Sequence, residues 1–110
     1  MAYCPPEQLD DLATVLADVC TWVGVVEKKP GVFYVRNQPF LHFHLLAGGR
    51  RRADVKGHTN WVQLDLPRPV TATGRRALSR ALRMCYGQRQ ARGSRRALRP
   101  TSAGRRRAPA

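Results

Sequence analysis

The chain has 110 residues, of which 20 are Lys or Arg and seven are Asp or Glu, so its formal net charge is +13. This length suits one domain and leaves little sequence for a second. The three cysteines are widely spaced and form no CxxC pair, which argues against a disulfide framework or a zinc knuckle. No segment has the pattern of a signal peptide or a transmembrane span, so we expect a cytoplasmic protein with no membrane partner.

The first predicted element is a helix from Pro6 to Thr21. Proline suits the first helical position, and acidic side chains close by, beginning with Glu7, interact favourably with the helix dipole. Apolar residues then recur every three or four positions, as they do on the buried face of a helix. These residues are Leu9, Leu12, Leu16, Val19, Cys20 and Val23.

Four or five short strands are predicted after this helix. The first is rich in β-branched residues and ends at Pro30-Gly31, a pair that suits the two central positions of a type II turn. Turn residues also separate the later runs, and a flexible loop is predicted over Ala47–Arg51, so neighbouring strands form hairpins. The predicted strands are Trp22–Glu27, Val32–Arg36, Phe40–Leu46, Arg52–Lys56 and Trp61–Leu66.

A second helix is predicted after Thr71–Gly74, because apolar and basic residues separate onto two helical faces there. The predicted fold is therefore α+β, a two-layer sandwich in which an antiparallel four- to five-stranded meander is flanked by an N-terminal and a C-terminal helix. Residues 1–92 are expected to form this single domain. Residues 93–110 are rich in arginine and poor in apolar side chains, so a disordered tail is expected.

Two segments of the chain resemble a known family. They are Val26–Arg36, which follows the first helix, and Trp61–Asp65, which precedes the closing helix. In these segments and in the order of its elements, the chain resembles the small bacterial YjbR/MmcQ-like proteins, whose fold is frataxin-like (CyaY-like) α+β. The resemblance covers roughly residues 9–87. It implies a fold more than a function, because the family is largely uncharacterised and neither segment is a catalytic signature.

Charge is distributed unevenly along the chain. Seven acidic and seven basic side chains cancel in residues 1–65, so the whole net charge arises from residues 66–110. Guanidinium groups pair with phosphate oxygens and displace counterions, which predicts nonspecific binding of nucleic acid by the closing helix and the tail. The alternative is a solvated helix face and a tail enriched in arginine by GC-rich codon usage. The candidate residues are Arg75, Arg76, Arg80, Arg83, Arg89, Arg92, Arg95 and Arg96.

A histidine pair on a strand is the second candidate site. His42 and His44 point to the same face because side chains alternate along a strand, so they are candidate metal ligands or contacts for a small ligand. A metal site needs further ligands, for which His58, Asp54 and Cys85 are the candidates. In the alternative interpretation the pair shares an uncovered or partly covered face with Phe40, while Leu41, Phe43 and Leu45 lie in the core.

The sequence contains no pattern for a catalytic nucleophile or a phosphate-binding loop. Asp54 and Asp65 are expected to face solvent or to pair with arginines, and Tyr34 and Trp61 are expected to pack rather than to stack on bases. We therefore expect a non-enzymatic binding protein without a cofactor. Nucleic acid is the favoured partner, and a metal or a small ligand at the histidine pair is the alternative. The sequence does not indicate the oligomeric state.

Overall fold

The structure is a computed structural model that describes the backbone of residues 2–102 and the side chains of residues 4–90. The fold consists of an antiparallel sheet, an N-terminal helical segment that combines a 3₁₀ helix with an α-helix, and a C-terminal α-helix. A short 3₁₀ turn also lies between two of the strands. The strands are β1 (Ala2–Tyr3), β2 (Val25–Lys29), β3 (Val32–Val35), β4 (Gln38–Leu45), β5 (Arg51–Lys56) and β6 (Trp61–Leu66). The helices are a 3₁₀ helix (Pro6–Leu12), α1 (Ala13–Val19), a short 3₁₀ turn (Ala47–Gly49) and α2 (Ala72–Ser102).

Strands β2 to β6 form an antiparallel meander in which their spatial order is their order in the chain. The predicted α+β fold, with a meander between an N-terminal and a C-terminal helical segment, is confirmed. Strand β1 was not predicted, and it pairs with the end of β4, where Ala2 lies opposite Leu45 and Tyr3 lies opposite His44. A strand of two residues is too short to show an alternating pattern, so the sequence gives no signal for it.

The N-terminal helix is divided into two parts. Residues Pro6–Leu12 form a 3₁₀ helix, and the α-helix begins only at Ala13 and ends at Val19. In a 3₁₀ helix the side chains at positions i and i+3 lie directly above one another. Leu9 and Leu12, which are three residues apart, therefore both reach the core.

The core lies between the sheet and the helices. Side chains from the 3₁₀ helix, α1 and α2 pack on the inner face of β3, β4 and β5, and burying this apolar surface stabilises both layers. Two of the three thiols, Cys4 and Cys85, are buried, all three are free, and burial raises the pKa of both buried thiols. Central residues of this core are Leu12, Val19, Phe33, Phe43, Val55, Leu78 and Leu82.

A β-bulge in β4 changes which side chains are buried. Phe33 lies opposite Leu41 and Tyr34 lies opposite Pro39, so Phe40 is an extra residue without a partner on β3. As a result Phe40 and Leu41 are adjacent in sequence and both are fully buried. The prediction that Phe40 shares the uncovered face with the histidine pair was wrong, because strict alternation requires a ladder without a bulge.

The start of β5 also differs from the prediction. Arg51 was assigned to a flexible loop, but it is the first residue of β5 and is only 1% exposed. Its guanidinium forms a bidentate pair with the carboxylate of Asp11, with distances of 2.7 and 2.9 Å. It also donates to the backbone carbonyls of Gln8, Leu66 and Pro67. A charged side chain is buried here because all of its donors find acceptors.

Helix α2 extends past the predicted domain boundary. Its backbone is helical from Ala72 to Ser102, whereas a disordered tail was expected from residue 93. Alanine, arginine, leucine and glutamine are strong helix formers, which favours a helical backbone in this part of the chain. Residues 103–110 lie outside the described residues. The division of the chain into residues 1–92 and 93–110 stays a prediction.

Candidate functional site

The first candidate site is a row of arginines on α2. Thr71 caps the start of this helix, because its hydroxyl accepts a hydrogen bond from the backbone N–H of Gly74 at 2.9 Å. Helical periodicity then brings four predicted residues around one shallow groove of about 330 Å³, and all four side chains are exposed. We call Arg75, Arg76, Arg80 and Arg83 the arginine row.

The members of the arginine row differ in their partners. Arg83 donates to the carboxylate of Asp18 at 3.0 Å and lies over the ring of Trp22. Within residues 4–90, the other three members have no acidic side chain within 4 Å. Their positive charges are therefore compensated only by solvent and salt, which favours binding of an anionic partner.

Arg89 has a different role from the arginine row. Its guanidinium donates to the backbone carbonyls of Pro39 at 2.8 Å, Val35 at 3.3 Å and Lys56 at 3.4 Å, and it lies over the ring of Phe40. These bonds connect α2 to the ends of three strands and use three of the five N–H donors of the guanidinium. Arg92, Arg95 and Arg96 belong to the helical backbone of α2, and their side chains lie outside the described residues.

The second candidate site lies on the sheet face opposite the helices. Strand pairing places Asp54 opposite His42, and Arg52 opposite His44. The carboxylate of Asp54 accepts bonds from Arg52 at 2.8 and 3.1 Å and lies 3.1 Å from Nε2 of His44. The ring of His42 packs against Trp61, whose centroid lies 5.4 Å away. We call His42, His44, Arg52, Asp54 and Trp61 the histidine face.

The two histidines have different surroundings. Because an ionised carboxylate cannot donate a hydrogen bond, Nε2 of His44 carries the proton in its contact with Asp54, and Nδ1 is the acceptor when the ring is neutral. His42 has no such partner, and its Nε2 is buried without a hydrogen bond. Burial lowers the pKa of His42, and the neighbouring His44 lowers it further, so His42 is neutral at pH 7.

The described residues bring no third metal-ligand group into an arrangement with His42 and His44. Among these residues, no group of three or more His, Cys, Asp and Glu side chains is arranged to hold an ion. Both carboxylate oxygens of Asp54 accept hydrogen bonds from Arg52, and one of them also lies 3.1 Å from Nε2 of His44. The metal-binding role of His42 and His44 therefore stays a prediction.

A groove of about 430 Å³ opens beside the two histidines. Its walls include Lys28 of β2, Val32 and Tyr34 of β3, and His42 and His44 of β4. The ammonium group of Lys28 lies 5.0 Å from the centroid of the Tyr34 ring, which is within the range of a cation–π interaction. The groove therefore combines a positive charge, an aromatic ring and two imidazoles.

Sequence pattern predicts the histidine pair and Asp54 as a candidate further metal ligand, but it does not indicate Arg52 or Lys28 at this site. Arg52 and Asp54 are two residues apart on one strand, so their common face follows from the alternation of side chains. The position of Arg52 opposite His44 depends on the register between β4 and β5, which no local pattern indicates. Lys28 reaches the groove across β3, for the same reason.

Comparison of the chain with protein-family models, curated proteins and solved structures finds no match. The resemblance to the YjbR/MmcQ-like proteins therefore stays a prediction. Among the described residues, neither α-helix has the combination of length and apolar character needed to cross a bilayer.

Proposed function

We propose that the protein is a non-enzymatic binding protein that uses the arginine row to bind the phosphate backbone of nucleic acid without sequence preference. The observation that supports this most directly is that Arg75, Arg76 and Arg80 are exposed on one helical face with no acidic partner in residues 4–90. Arginine pairs with phosphate through two parallel hydrogen bonds, and such contacts position a nucleic acid without reading its bases.

The distribution of charge in the chain supports the same proposal. The seven acidic residues all lie in residues 1–65, so no acidic side chain follows the arginine row in the sequence. Seven more arginines follow Gln90 in the sequence, C-terminal to the arginine row. A partner with many closely spaced negative charges would neutralise several of these groups together, and release of its counterions would drive binding.

The test is a salt titration of binding to a fluorescent 20-base-pair duplex and to a single strand of the same length. In the variant the three unpaired arginines, Arg75, Arg76 and Arg80, are replaced by glutamine. We expect the slope of log K against log salt concentration to fall by about 2 to 3 on the duplex, because each lost phosphate contact removes about 0.9. The slope on unrelated duplex sequences should change equally.

The control is a triple variant with the same loss of charge elsewhere: Lys28→Gln, Arg50→Gln and Lys56→Gln. These side chains lie away from the arginine row, so the control should keep most of the salt slope. An equal decrease of the salt slope in both variants would show that net charge alone attracts the nucleic acid, and it would contradict a site on α2. A chain that ends at Gln90 then measures what the remaining arginines contribute.

A further inference from the structure

The groove beside the histidines has the size and shape of a small-molecule site. Its volume of about 430 Å³ falls within the range of roughly 300–1,000 Å³ that is typical of ligand pockets. It lies on the face of the sheet that the helices leave uncovered, whereas the arginine row lies on α2. Its ligand is therefore independent of the nucleic-acid binding proposed above.

The charge of the groove favours an anion. Lys28 is exposed, and among the described side chains no carboxylate lies within 4 Å of its ammonium group. The nearby carboxylate, Asp54, is already paired with Arg52 and His44 and does not compensate Lys28. A phosphate or carboxylate in the groove could therefore form an ion pair with the ammonium group of Lys28 on β2.

The other walls of the groove favour a planar molecule with polar edges. The half-buried ring of Tyr34 offers an aromatic surface, and Val32 adds an apolar wall. His42, which lines the groove, has a buried Nε2 without a partner, an arrangement that is costly unless a hydrogen bond forms. His44 is held by Asp54 through one nitrogen and keeps the other as an acceptor when it is neutral.

We propose that this groove binds a small planar molecule that carries a phosphate or a carboxylate. The anion pairs with Lys28, the ring of the ligand packs on Tyr34, and a polar edge of the ligand hydrogen-bonds to the imidazoles of His42 and His44. The ammonium group of Lys28 already lies over the Tyr34 ring, so the two groups that would hold the anion and the ring are adjacent before binding.

The test follows the imidazole signals of the three histidines by NMR in the isotopically labelled full chain. The probes are AMP, UMP and 4-hydroxybenzoate, with adenosine and inorganic phosphate as the separate halves of AMP. We expect at least one planar anion to shift the signals of His42 and His44 in a saturable way. The exposed His58, on the turn after β5, should not move. Adenosine and phosphate should bind about tenfold more weakly than AMP if AMP is a ligand.

Two lysine variants complete the test. Lys28→Gln should weaken binding about fivefold to tenfold, because it removes the charge at the groove. Lys56→Gln is the matched control, since Lys56 also lies over an aromatic ring, that of Trp61, but outside the groove. Three results would overturn the proposal: no probe shifts His42 and His44, all three histidines shift alike, or the two lysine variants weaken binding equally.

Discussion

His42 shows how burial changes the chemistry of a single residue. Sequence alternation placed it beside His44, and the structure confirms that both rings lie on the same side of the sheet. Only the structure shows that His44 has a carboxylate partner while Nε2 of His42 has none. Two histidines that are two positions apart therefore differ in their hydrogen-bond partners, and only a contact across the sheet decides which of them has one.

We predict that His42 makes the stability of the protein dependent on pH. Its pKa is lowered in the folded state, mainly by burial, so below an ordinary value of about 6.5 the unfolded chain binds more protons than the folded one. The free energy of unfolding should therefore decrease as pH falls from about 7 towards 5. Urea unfolding at several pH values measures this, and His42→Gln should flatten the profile in that range. His58→Gln is the control, and an equal flattening by both variants would rule out His42 as the source.

At the scale of the elements, the β2–β3 hairpin was predicted with its turn. Gly31 has a φ angle of +79°, as expected for the third position of a type II turn, and its N–H donates to the carboxylate of Glu27 at 3.0 Å. The structure adds a second constraint, because a Cβ atom at Gly31 would lie 2.6 Å from Cδ1 of Leu9. This turn therefore also contacts the N-terminal 3₁₀ helix, which local sequence does not show.

We predict that Gly31→Ala destabilises the protein more than Gly49→Ala. Both glycines have nearly the same positive φ, +79° and +78°, so both variants carry the same backbone cost of about 1–2 kcal/mol. A methyl group at Gly49 meets nothing within 4 Å, whereas at Gly31 it collides with Leu9 and adds about 1–3 kcal/mol. Thermal and urea unfolding of the two variants would measure the difference. An equal decrease in the free energy of unfolding for both variants would mean that the Leu9 side chain moves aside without destabilising the protein.

At the scale of the whole molecule, the buried Arg51 and the partly buried Arg89 connect distant parts of the chain. Arg51 connects β5 to the N-terminal 3₁₀ helix through Asp11, and Arg89 connects α2 to the ends of β3, β4 and β5. The backbone N–H of Val70 donates to the same Asp11 carboxylate at 2.6 Å. Hydrogen bonding to Arg51 lowers the pKa of Asp11, so this carboxylate stays ionised at neutral pH.

We predict that Arg51→Met lowers the free energy of unfolding by about 3–5 kcal/mol, because it leaves the carboxylate of Asp11 partly buried without its partner. Arg68→Met is the matched control, since Arg68 also pairs with an aspartate of the 3₁₀ helix, Asp10, but at the surface. Arg68→Met should lower the free energy of unfolding much less than Arg51→Met, because a salt bridge at the surface contributes little. Urea unfolding followed by circular dichroism measures both variants, and similar losses would show that burial of Arg51 contributes little.

The fold and part of the candidate site were predictable from local patterns. Alternating and helical periodicities identify strands and helices because each depends on neighbouring residues, and the turn residues between successive strands indicate a meander. The same reasoning found the arginine row, since residues three and four apart share a helical face. The pairing of Asp54 with an arginine was also expected and is confirmed at Arg52.

The remaining features depend on contacts between residues far apart in the chain. The bulge at Phe40 depends on the pairing of β4 with β3, and the burial of Arg51 depends on Asp11, 40 positions earlier. Arginine is usually a surface residue. Arg89 has a structural role because its guanidinium donates hydrogen bonds to backbone carbonyls at the ends of three strands. Composition and periodicity describe what each segment prefers, whereas register and packing between segments decide which polar groups are buried and which partners they find.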